Sequence, residues 1–197
     1  MEGLLIAVLF VAVVTIGALA WWTHKRQELE TRFGPEYERE VERAGGSKVK
    51  AARELDAREK RYEKMDIRTL DTNERSKFVD KWHSVQQRFV DDPSGAVSDG
   101  HTLVIDVMRA RGYPVDHFEQ RVQDISVDHA GVVDHYRSAH AIAERNEAGE
   151  ASTEDLREAV VHYRALFRDL LETGEDTDRD HDEGRAKETG RWDNTRK

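Results

Sequence analysis

Histidine is the side chain most able to do chemistry in this sequence. His117, His129, His135, His140 and His162 gather in the second half of the chain. Metal sites in helical proteins pair their ligands on one face, three or four residues apart. Here the spacing misses that pattern, and no H-x-x-x-H, H-E-x-x-H or E-x-x-H occurs. Carboxylates are the second candidates: Asp91, Asp92, Asp106, Asp116, Asp124 and Asp128 fall near expected turns. Acid–base work would need two of them to converge on one pocket with shifted pKa values. Arg88, Arg109, Arg111 and Arg121 are near enough in sequence to neutralise them, so structural ion pairs are the favoured reading.

Other chemistries are removed more firmly. The chain has no cysteine, which excludes disulfides, thiolate nucleophiles, cysteine-bound zinc and Fe–S clusters. G-x-S-x-G is absent, as are G-x-x-x-x-G-K-[ST] and G-x-G-x-x-G. The formal net charge is −9, and no basic stripe is interleaved with aromatics, which argues against nucleic acid as a partner. The sequence therefore predicts no catalytic residue, no cofactor-binding residue and no metal ligand. An enzyme is the less favoured reading.

The elements that would position such residues are helices. Residues 3–22 form an uninterrupted apolar run with no charge, long enough as a helix to match the roughly 30 Å hydrocarbon core of a bilayer. Its eleven Leu, Ile, Val and Phe residues favour insertion. Trp21 and Trp22 fit an interfacial belt, and His24, Lys25 and Arg26 follow them. The positive-inside rule then predicts a single-pass anchor in the cell membrane with the rest of the chain cytoplasmic. The rival is a cleaved signal peptide, for which Ala18-Leu19-Ala20 has suitable spacing. An amino-terminal flank without Lys or Arg and the length of the run oppose it.

After the anchor, Phe33-Gly34-Pro35 predicts a break, with Pro35 opening a short helix to Ala44. Gly45-Gly46 stops that helix and Ser47 caps the next. From Ser47 to Met65 the apolar face is thin, Ala51, Leu55, Tyr62 and Met65, because Arg58 interrupts it. Residues 23–70 thus read as a charged helical stalk. Stronger stripes follow: Phe78, Trp82, Val85 and Phe89 behind Asp71; Val97, Leu103, Val104, Val107 and Met108 behind Asp92-Pro93; Phe118 and Val122; Val132, Val133, Tyr136 and Ile142; then Leu156, Val160, Tyr163, Phe167 and Leu170 behind Ser152. The fold expected is all-α: transmembrane anchor 3–22, stalk 23–70, compact antiparallel bundle 71–173 and a disordered, charged tail 174–197.

Four strings stand together in a familiar way: Arg32-Phe33-Gly34-Pro35-Glu36-Tyr37; Trp82 with Val85-Gln86 and Phe89-Val90-Asp91-Asp92-Pro93; Arg111-Gly112-Tyr113-Pro114-Val115; and His162-Tyr163-Arg164-Ala165-Leu166-Phe167. Over Arg32 to Leu171 the chain resembles an uncharacterised bacterial family of small helical proteins with an amino-terminal membrane segment, of the hypothetical or secreted type. The resemblance implies no reaction and no site residues, and its secreted label speaks for the cleaved-signal alternative. The function expected is a membrane-anchored, non-catalytic protein-interaction module. It would meet the membrane through its first helix and bind another protein. The alternatives are an exported helical protein, or a ligand-binding or enzymatic bundle built on carboxylates with His129, His135 and His140. The charged helix from Ser47 to Met65 and the turns at Asp91-Asp92-Pro93 and Arg111-Gly112-Tyr113-Pro114 are the expected contact surfaces.

Overall fold

A computed structural model describes residues 2–172; within its first helix, the side chains of residues 2–8, 11, 18 and 19 are not among those described. The predicted tail therefore lies outside the described residues. Every regular element described is helical: α1 (Glu2–Phe33), α2 (Pro35–Arg43), α3 (Lys48–Tyr62), α4 (Thr72–Asp91), α5 (Pro93–Ala110), α6 (Phe118–Ile125), α7 (Val133–Glu147) and α8 (Thr153–Glu172), with a 3₁₀ turn at Ala130–Val132. Among the described residues, no helix is long and apolar enough to cross a membrane.

The punctuation follows from side-chain chemistry. Gly34 takes a positive φ of 49° and Pro35 opens α2. The Ser47 hydroxyl accepts the Lys50 N–H at the start of α3. At α4 the Asp71 carboxylate accepts the Glu74 N–H while the Glu74 carboxylate accepts the Asp71 N–H, a reciprocal cap. Asp92 caps α5 through the Gly95 N–H at 2.9 Å. Ser152 and Asp155 cap α8 reciprocally.

The chain divides into two compact units, the first from residues 1–64 with 123–131, the second from 65–122 with 132–197. Residues 23–64 enclose a core of their own: Leu29 and Phe33 of α1, Tyr37 of α2 and Ala52 and Leu55 of α3, closed by Val127 from far along the sequence. Trp22, expected at a membrane interface, packs against that core, while Trp21 is exposed. α1 supplies apolar residues to this unit, and Arg58, which interrupts the α3 stripe, is itself buried at 1% exposure. Arg58 sits between Glu36, 3.4 Å from its Nη1, and Glu40, which accepts from its Nη2. Arg43 lies 3.9 and 3.6 Å from the same carboxylates.

The returning segment 123–131 is held by polar contacts within this unit. Arg61 reaches the buried Asp124 at 3.2 Å and Gln123 at 3.0 Å. Arg32 donates to the Val127 carbonyl and to Asp128, and the Tyr62 hydroxyl donates to Asp128 as well. The bundle expected over 71–173 thus gives up this segment, for which no apolar stripe of its own is required.

The second unit is a helical bundle with α5 at its centre, packed on α4, α7 and α8, and with α7 packed on α8. Its core holds Val104, Val107 and Met108 of α5, Tyr136 and Ala139 of α7 and Tyr163 and Leu166 of α8, all at or below 1% exposure. Trp82 of α4 stacks on Phe167 of α8 with ring centroids 4.9 Å apart. Gly112, at φ 96°, turns the chain after α5 where a Cβ would collide with the Asp66 carbonyl. The Arg68 N–H donates to the Arg111 carbonyl at 2.9 Å beside that turn.

Candidate functional site

Within the second unit, three helices and the start of a fourth bring ionisable rings together. His101 on α5 lies one turn from Val97 and from Val104, so the stripe that buries those residues also turns the imidazole inward. Its Nδ1 is 2.9 Å from the hydroxyl of Tyr163 on α8. The ring stacks on His140 of α7 at 5.7 Å, and His140 stacks on Phe118 of α6 at 3.6 Å. Arg121, 7% exposed, donates its Nε–H to the Tyr136 hydroxyl at 2.7 Å and its Nη1–H to the Val115 carbonyl at 2.6 Å.

The electrostatics of this cluster keep its rings uncharged. Burial, with His140 and then Arg121 adding like charge, pushes His101 down to about 4. Burial also lowers His140 and raises Tyr136 and Tyr163. At neutral pH the imidazoles are neutral and the phenols protonated. A His–Tyr pair of this kind cross-links α5 to α8 through one satisfied hydrogen bond.

Of the histidines singled out from sequence, the structure brings His140 into this cluster and pairs His135 with His162, Nδ1 to Nδ1, at 2.8 Å across α7 and α8. His162 is lowered by its burial and then by His135. His117 is exposed, and its carbonyl accepts the Arg121 N–H. His129 is buried in the other unit. Among the described residues, no group of three or more His, Asp or Glu is placed to hold a metal ion. Sequence reading missed His101, although its place on the α5 stripe was the available signal.

The carboxylates resolve into caps and ion pairs. Asp92 caps α5 and meets Arg88 at 2.7 Å; its carboxyl is held below the usual range by the Gly95 N–H first and Arg88 second. Asp106 pairs with Arg109 at 2.6 Å and Asp124 with Arg61. Asp91 and Asp116 are exposed. Two of the arginines expected to neutralise carboxylates bind elsewhere: Arg121 as above, and Arg111 to the carbonyls of Leu170 and Arg68. In the Arg111-Gly112-Tyr113-Pro114 turn, Arg111 and Tyr113 are each 3% exposed, whereas Gly112 and Pro114 are exposed.

A concavity of the second unit lies between α4 and α8. Val79, Trp82, Phe167 and Leu171 form its apolar floor, and its volume is about 300 Å³. Arginines rim it: Arg75 from α4, Arg164 and Arg168 from α8. Trp82 is 95% buried, and its indole N–H has no acceptor among the described residues. No protein family, curated protein or solved structure matches this chain.

Proposed function

We propose that this protein is a single-pass, membrane-anchored helical module that acts by binding another protein, with its folded part on the cytoplasmic side. The observation that carries the reading is the surface of α1. Every residue from 9 to 21 whose side chain is described is exposed, including Leu9, Phe10, Val13, Val14, Ile16 and Trp21, at 52–68%. Leucine, phenylalanine and valine left bare around one helix are stable in lipid and costly in water. The remaining apolar residues of the run, Leu4 to Val8, Val11 and Leu19, extend the same composition. Lys25 and Arg26 follow the run on the side that favours the cytoplasm. Binding is preferred to catalysis because the buried ionisable groups at the centre of each unit are taken up in structural pairs: His101 with Tyr163, Arg121 with Tyr136, Arg58 with Glu36 and Glu40.

The test has two arms. Carbonate-washed membranes should retain the protein, and its intact mass should include Met1 through Trp21; a mature chain beginning at Trp21 overturns the anchor in favour of export. Cross-linking in native membranes should join the folded part to a second polypeptide in fixed stoichiometry. Recovery of the monomer alone across cross-linker lengths overturns the binding role.

A further inference from the structure

The groove between α4 and α8 has two unlike ends. The helices run antiparallel along it: Arg75 donates to the Leu171 carbonyl at one end, and Trp82 stacks on Phe167 further along. At the first end the charges are used internally, because Arg168 also meets Glu172 at 3.3 Å. At the other end stand His83, Gln86 and Arg164, all exposed and, among the described residues, without a hydrogen bond or ion pair. Arg164 is thus the one unpaired arginine of the rim. Between the ends lies the apolar floor of Val79, Trp82, Phe167 and Leu171.

The Trp82 indole is aimed into this groove. Its Cζ3 carbon is turned inward, 3.8 Å from where a Cβ on Gly100 of α5 would stand. In an indole the nitrogen lies across the six-membered ring from that carbon. The N–H is therefore directed away from α5, towards the side that α4 and α8 leave open. Trp82 is 5% exposed, and its N–H has no acceptor among the described residues. Buried donors are almost always paired in native proteins, because leaving one unmade costs its full hydration.

We propose that this groove binds a small aromatic carboxylate. The ligand's ring lies on Val79, Phe167 and Leu171. Its carboxylate stands at the Arg164 end, with one oxygen accepting the Trp82 N–H and the other facing the guanidinium. Three observations select this class. The volume of about 300 Å³ is at the lower limit for small-molecule sites, so one ring or two fused rings fill it. The floor offers no polar group apart from the indole N–H, so the body of the ligand is apolar. A single unpaired arginine, with the others of the rim already bonded, suits one negative charge rather than several. The site depends neither on a protein partner nor on α1 entering a membrane.

The experiment labels the indole nitrogens of the full-length chain in lipid nanodiscs with nitrogen-15 and follows the four tryptophan N–H signals as indole-3-carboxylate is added. The Trp82 signal, assigned by its loss in Trp82→Phe, should move downfield and saturate, as a donor does on gaining an acceptor. Arg164→Gln removes an exposed charge and should raise the Kd about fivefold, the upper scale of one surface ion pair. Indole-3-carboxamide, which lacks the charge, should be weaker by a similar factor. Val79→Trp fills the floor from a position already 37% exposed and should abolish the shift while leaving the melting temperature unchanged. A Trp82 signal that stays fixed at millimolar ligand overturns the proposal. A shift that survives Val79→Trp places the ligand elsewhere and also overturns it. Equal affinity for the carboxamide, or for the Arg164→Gln variant, refutes the carboxylate at that end. An unsaturable drift shared by all the tryptophan signals is partition into lipid only, and refutes the site.

Discussion

Replacing Arg58 tests the reading of the first unit at its most exacting point. Its guanidinium is 1% exposed and is flanked by Glu36, equally buried, and Glu40. At 3.4 Å, with the effective dielectric of about 20 that suits protein sites, one such pair attracts by about 5 kcal/mol. Taking each ion out of water costs several kcal/mol, so the cluster as a whole contributes little net stability. Removing one member has a different outcome, because the remaining charges stay buried and unbalanced. Arg58→Ala should therefore destabilise the first unit by roughly 3–5 kcal/mol. Native-state hydrogen exchange on the full-length protein reads this directly: amides of α2 and α3 should exchange roughly two to four orders of magnitude faster. Amides of α5 serve as the internal control. The triple variant Arg58→Met, Glu36→Met, Glu40→Met should exchange within about tenfold of the parent, since apolar groups of similar volume replace the whole cluster. A single variant accelerated less than about tenfold, or a triple variant as labile as the single, refutes the account.

Two further outcomes follow from the second unit. His101 is held at about 4 against a usual 6.5 by burial, so its neutral form favours folding. That contribution is fully present above pH 6.5 and is lost as pH falls towards 4, amounting to about 1–2 kcal/mol after screening of the partly exposed ring. His101→Gln should flatten the fall in melting temperature across this interval, with His140 and His162, lowered in the same direction, leaving a residual slope; an unchanged slope in the variant refutes the assignment. Gly112→Ala forces a side chain into a positive φ and against the Asp66 carbonyl, which should cost roughly 1–3 kcal/mol in urea titration; a neutral effect would show that the turn is soft.

Much of the fold was legible because helix ends are written locally. Asp71, Asp92 and Ser152 each announce a start through one side chain, and Gly34-Pro35 announces a break, so the helix order could be read directly. The stripes of α5 and α8 were equally clear because both helices are covered on a broad face. α4 was less so: Phe78 and Phe89 look like core from spacing, yet both are only half-buried, since α4 packs at the edge of its bundle. What spacing could not reveal was non-local. Arg58 breaks an apolar stripe in sequence, and only the approach of Glu36 and Glu40 from α2 makes its burial affordable. Val127 has no partner within reach along the chain; its partners are the helices of the first unit. The His101–Tyr163 bond joins residues 62 apart, and neither histidine spacing nor a motif points to it.

The first unit is also interrupted in time. Its core needs Val127, and Arg61 needs Asp124, so the unit made by residues 1–64 stays open while residues 65–122 are added. At roughly 5–20 residues per second, that interval lasts several seconds. During it Leu29, Phe33, Tyr37 and Leu55 lack their last covering residue, and closing a loop of about 60 residues costs a few kcal/mol of chain entropy when it comes. A nascent chain halted anywhere between 65 and 122 is therefore a half-built particle with an uncapped core at its amino end. Quality control at the ribosome would meet it in that state, and a shortened chain ending before residue 131 should be recognised as unfolded even though its first three helices are complete.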